Sequence, residues 1–145
     1  MKYLSIILIS IVLMSCGGGG DDPKDETKPN VIVETPIEGT VFAKSSTITV
    51  LGVLSDNEDL ASCTFSLEYV TPESNTEATS VKIVKDPFKP NSETITIEGK
   101  TYTLESYEVF GPIPADCKEG DYTLKIKVTD KTGNETSLDI SIKIE

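Results

Sequence analysis

The 145-residue chain contains no Arg, no His, no Trp and no Gln. Each absence removes a chemistry. Without His there is no Ser-His-Asp or Cys-His nucleophile, no imidazole-ligated zinc and no imidazole general base near neutral pH. Without Arg there is no bidentate fork for phosphate or guanine. The 24 Asp and Glu stand against 13 Lys, giving a formal net charge of −11. That balance excludes a nucleic-acid partner, because such binding rests on neutralising phosphates. The missing Trp weakens any sugar-binding platform. Helical periodicity is absent too. What is present is Thr, Ser, Val and Ile, the residues of pleated, half-buried strands.

The first 15 residues read as a leader. Lys2 supplies one positive charge, and Tyr3 to Met14 is almost wholly apolar. Such a run has the length of a signal-peptide core and is too short to span a bilayer comfortably. It ends in Leu13-Met14-Ser15-Cys16, which resembles the bacterial lipobox: an aliphatic residue, a variable one, a small one, then the cysteine that is lipidated. That resemblance implies that residues 1–15 are removed and that acyl chains on Cys16 hold the chain at a membrane. One acyl chain binds only marginally, so two or three are needed. Residues 16–29 follow as an acidic tether, Gly17 to Gly20 and then Asp21-Asp22-Pro23-Lys24-Asp25-Glu26, with nothing to bury.

From Asn30 to Glu145 the pattern is strand after strand. Val31–Glu34 and Ser46–Leu54 come first, then Ser62–Val70 with Cys63, Phe65, Leu67 and Tyr69 inward. A short strand is expected at Val81–Val84. Glu93–Ile97 and Thr101–Leu104 flank Glu98-Gly99-Lys100 as an expected hairpin, and Ser106–Phe110 continues the second arm. Asp121–Thr129 and Thr136–Ile144 alternate most cleanly, around the turn Asp130 to Asn134. Seven to nine short strands at this spacing predict an all-β fold, an antiparallel two-sheet sandwich.

Four segments carry a family resemblance. Pro29 to Phe42 resembles the opening of bacterial Ig-like domains, a strand followed by Pro36 and the Gly39 turn. Ser55-Asp56-Asn57-Glu58-Asp59-Leu60 resembles their loop between the second and third strands. Gly120-Asp121-Tyr122 looks like a tyrosine corner. Thr129 to Glu135 resembles the Asp-x-x-Gly-Asn turn before the last strand. With the lipobox, the chain is similar to Bacteroidota Ig-like lipoproteins of a domain-of-unknown-function group. The resemblance implies an Ig-like β-sandwich on an outer-membrane lipid anchor. It further implies exposure at the cell surface, with the periplasmic face as the alternative.

Cys63 and Cys117 are the two remaining cysteines, 54 positions apart. In an exported protein they can oxidise; a disulfide between them and two separate thiols are both open.

Two candidate sites stand out. The loop Asp56-Asn57-Glu58-Asp59 and the turn Asp130 to Glu135 should share one end of the sandwich. There Asp56, Asn57, Asp59, Asp130, Asn134 and Glu135 offer oxygens to calcium, which takes six to eight. The same residues also favour turns for local reasons. Phe88, Tyr102 and Tyr107 are the aromatic candidates for a glycan surface; the alternative is that they pack on the sheets. No motif selects the carboxylate pair that glycoside hydrolysis would need. The expectation is a non-catalytic, lipid-anchored envelope module with an unidentified protein or glycan partner. Its alternative is a calcium-dependent or glycan-binding adhesion domain.

Overall fold

The computed structural model describes residues 24–72 and 85–145. The expected leader, Cys16, the glycine run and the expected strand Val81–Val84 lie outside the described residues. Eight strands are present: β1 (Asn30–Thr35), β2 (Thr40–Phe42), β3 (Thr47–Ser55), β4 (Leu60–Tyr69), β5 (Glu93–Thr96), β6 (Thr101–Pro112), β7 (Gly120–Asp130) and β8 (Glu135–Ile144). Among the described residues there is no helix.

The strands form two sheets, ordered β1-β3-β6 and β2-β8-β7-β4-β5. All pairings are antiparallel except β2 on β8, which is parallel. The opening segment contributes to both sheets. β1 lies beside β3, and after Pro36 and the Gly39 turn β2 lies beside β8. This division of the opening segment, within sheets of three and five strands, is an immunoglobulin-like sandwich.

Alternation explains which residues meet between the sheets. On β3, Ile48, Val50 and Leu54 are buried; on β4, Cys63, Phe65 and Leu67; on β7, Tyr122, Leu124, Ile126 and Val128; on β8, Ile140, Ile142 and Ile144. Each such side chain contributes about 1.5–3 kcal/mol when fully removed from water. The ion pairs, such as Lys125–Glu68 at 3.0 Å, lie on partly exposed side chains, where a pair is worth roughly 0–1 kcal/mol. The apolar layer therefore dominates stability.

One local feature places Tyr107 in β6. In β6, Leu104 lies opposite Gly52, while Tyr107 lies opposite Val50, so β6 carries an extra residue there. Ser106 takes it up at φ 52°. This bulge returns Tyr107 and Val109 to the core-facing side already used by Tyr102 and Leu104.

The expected hairpin around Gly99 is not formed. β5 pairs with β4 and β6 with β3, so the turn between them carries the chain from one sheet to the other. Ile97 is 1% exposed, and its N–H donates to Ala61 O at 2.9 Å. Burying this side chain between the sheets, rather than pairing the flanking strands, is what the turn achieves.

The disulfide is also corrected: Cys63 and Cys117 are both free and buried. Cys63 sits opposite Val128, whereas Cys117 lies in the loop that leads to Tyr122 at the other end of β7. Val128 lies six positions beyond Tyr122 in the strand, or about 20 Å at the strand rise. A bridge needs Cα atoms about 4.4–6.8 Å apart.

Candidate metal centre

One end of the sandwich gathers the start of β1, the β3–β4 loop, the Gly99 turn and the β7–β8 turn. The β7–β8 turn is built by Asp130, 2% exposed. Its Oδ1 accepts N–H bonds from Thr132 at 2.8 Å, Gly133 at 2.6 Å and Asn134 at 2.8 Å. Its Oδ2 accepts from Thr132 Oγ1 at 3.0 Å and Asn134 Nδ2 at 2.8 Å. Gly133, at φ 94°, supplies the left-handed residue that lets the chain curl round the carboxylate. Burial pushes the Asp130 pKa up, but the hydrogen bonds from Asn134, Thr132 and Gly133 outweigh it and hold the carboxyl below its ordinary range.

The β3–β4 loop supplies Asp56. Its Oδ1 accepts the Glu58 N–H at 2.9 Å, an Asx turn that orders the loop. Lys100 Nζ donates to Asn57 O at 2.5 Å, and Asp56 N to Lys100 O at 2.9 Å, tying this loop to the Gly99 turn.

The third contributor is Asp25, in the segment expected to be tether. From Lys24 to Pro29 that segment lies on the domain. Asp25 Oδ1 accepts the Thr27 N–H at 3.0 Å and Asn57 Nδ2 at 3.1 Å. Asn134 Nδ2 donates to Asp25 O at 3.1 Å, and Thr136 Oγ1 to Pro29 O at 2.5 Å. Pro29 is buried. The Thr27 amide and then the Asn57 amide lower the Asp25 pKa.

One carboxylate oxygen from each of Asp25, Asp56 and Asp130 lies within 4.8 Å of the others. Asp25 Oδ2 and Asp56 Oδ2 are both closed off from solvent without a hydrogen-bond partner. None of the three carboxylates forms a salt bridge among the described residues. Three like charges thus converge with no cation beside them, an arrangement suited to a hard, oxygen-seeking cation.

Of the six ligands expected from sequence, Asp56 and Asp130 are in this cluster. Asn57 and Asn134 serve it as donors that hold Asp25. Asp59 and Glu135 are drawn elsewhere, to Lys131 and Lys127, each at 3.0 Å. Asp25 was not among those six. Its only local signal is the Asp-x-Thr turn, which is weak inside an otherwise featureless acidic run.

The aromatic candidates do not form an open face. Phe88 is 9% exposed and belongs to the core. Tyr107 stacks on Phe65 with ring centroids 5.6 Å apart, and its hydroxyl donates to Glu93. That hydrogen bond, with burial adding to it, pushes the Tyr107 pKa up to about 12. Tyr102 is half-buried against the core. At the opposite end of the sandwich, a hollow of about 580 Å³ lies between the Lys85–Lys89 segment and Pro114, Asp116 and Cys117.

Fold and site together define an Ig-like β-sandwich whose chain-entry end carries a three-carboxylate cluster. The chain belongs to the family described as Domain of unknown function (DUF4625), whose model matches residues 14–145. Comparison with curated proteins finds no match.

Proposed function

We propose that the chain is a lipid-anchored, non-catalytic module of the bacterial cell envelope. In this reading acyl chains on Cys16 hold it at the outer membrane, and it is displayed at the cell surface for a protein or glycan partner. The observation that best supports this is the way the chain enters the domain. Lys24 to Pro29 rests against Asn57, Asn134 and Thr136 at one end of the sandwich, and Lys24 comes eight residues after Cys16. An anchor at Cys16 then sets that end toward the bilayer. The opposite end, with the Pro114–Cys117 loop, faces outward. The absence of His and of any motif pairing carboxylates for acid–base work supports a non-catalytic role.

The experiment is expression in a bacterium that processes lipoproteins, with labelled palmitate. The natural chain should take up label and sediment with membranes. Cys16→Ala should lose the label and leave the membrane fraction. An unlabelled natural chain would overturn the reading. Protease treatment of intact cells distinguishes the two faces: digestion supports surface display, and protection supports the periplasmic face.

A further inference from the structure

We propose that Asp25, Asp56 and Asp130 bind one calcium ion, and that this ion clamps the segment leading into β1 onto the end of the sandwich. The division of labour within the Asp25 and Asp56 carboxylates carries the argument. Asp25 Oδ1 and Asp56 Oδ1 are engaged with the amides that shape their own loops. Their Oδ2 atoms are closed off from solvent and have no donor. A shielded carboxylate oxygen without a partner is costly, and native structures rarely leave one so. These two residues converge with a third carboxylate, Asp130, one oxygen of each lying within 4.8 Å of the others. A carboxylate cannot donate to a carboxylate, whereas a cation satisfies all three at once.

The spacing fits calcium. Oxygens about 2.4 Å from a shared ion are at most about 4.8 Å apart. The donors are all oxygen, with neither Cys nor His in the cluster, which disfavours zinc and copper. Backbone carbonyls and water would complete the six to eight ligands. Asn57 and Asn134 brace Asp25 through their Nδ2 groups. Asp59 and Glu135 stay with their lysines, outside the shell.

The ligands come from three separate stretches: the entering segment, the β3–β4 loop and the β7–β8 turn. Removing the ion therefore leaves the sandwich whole but loosens Asp25 and its neighbours. If the anchor at Cys16 holds, the clamp also fixes how the domain stands on its tether; that clause alone rests on the proposed function.

The test uses the full chain in detergent, stripped of divalent ions by EDTA, with calcium chloride as the only probe. Calorimetry should give a single site, with Kd of about 10⁻⁴–10⁻³ M as in extracellular calcium modules. Trypsin cleavage after Lys24 should slow about tenfold at calcium ten times above Kd. Asp25→Asn and Asp56→Asn should each weaken calcium binding at least about tenfold. Asp25→Asn lies outside every strand and should leave the sandwich folded, with the melting temperature in EDTA only slightly lowered. Asp59→Asn and Glu135→Gln should bind as the natural chain does. No heat from the natural chain up to about 5 mM calcium, or full affinity in Asp25→Asn, overturns the proposal. Neither result depends on palmitate labelling, so failure of the clamp and failure of the anchor are separable.

Discussion

Tyr122 shows how much one hydroxyl can organise. Its O–H donates to Lys118 O at 2.6 Å and accepts the Phe88 N–H at 3.1 Å. The first bond is the tyrosine corner expected from Gly120-Asp121-Tyr122. The second reaches 34 residues back and pins the Phe88 segment. The ring also meets Tyr69 edge-on, with centroids 5.1 Å apart. Tyr122→Phe keeps the ring but orphans a buried N–H, which costs about 1–3 kcal/mol. Urea unfolding should show that loss as a lower midpoint with an unchanged slope. The hydroxyl bond to Lys118 was legible in the sequence because it is local. The bond to Phe88 was not, since nothing in sequence places residue 88 beside residue 122.

At the scale of elements, β3 is the point of closest approach in the smaller sheet. It pairs with β1 on one side and β6 on the other. A Cβ on Gly52 would overlap Ile32 O, a backbone atom of β1. Gly52→Ala must therefore push β1 aside, and should destabilise the fold by roughly 1–3 kcal/mol. Hydrogen exchange should rise in Asn30–Thr35 while β7 stays protected. Strand positions were largely readable from alternation, as for β7 and β8. Strand partners were less so. The Gly99 turn looked like a hairpin because Gly between two alternating runs is the usual hairpin signal. Here the burial of Ile97 directs the second run to the other sheet instead. β2 escaped notice because three residues beside a Gly turn carry too little pattern to register.

For the whole molecule, two outcomes follow from where the charges and thiols sit. Burial pushes the Cys63 thiol up to about 12 and raises the Cys117 thiol as well. The thiolate is the reactive form, so both should resist alkylation in the folded chain. Both should react once it is unfolded, and mobility should be the same with and without reductant. A mobility shift on reduction would count against the two-thiol structure.

Acid should destabilise the domain. Asp25, Asp130, Glu119 and Glu135 all have folded pKa values below their ordinary ones of 3.8 or 4.5. For Asp130, hydrogen bonds from Asn134, Thr132 and Gly133 prevail over burial. For Glu119 and Glu135 the partner lysines, Lys44 and Lys127, are the cause. A depressed carboxyl contributes stability above its unfolded pKa and loses it as pH falls through the folded value. The melting temperature in EDTA should thus hold steady from about pH 7 to 5 and fall between about pH 4 and 2. Constant stability down to about pH 2 would contradict this assignment.

Composition and alternation by themselves determined the all-β class, the two-sheet sandwich and most strand positions, because strand periodicity is a local property written in every second residue. They also brought Asp56 and Asp130 forward as neighbours, since both occupy turns at the same end of a sandwich. Only the tertiary structure decided the rest. Cys63 and Cys117 lie near opposite ends of β7, a separation set by strand length and invisible in sequence. Asp59 and Glu135 are claimed by lysines that pairing brings alongside. Asp25, in an acidic run with nothing to bury, becomes part of the cluster because Asn57 and Asn134, distant in the chain, hold it where the two loops meet.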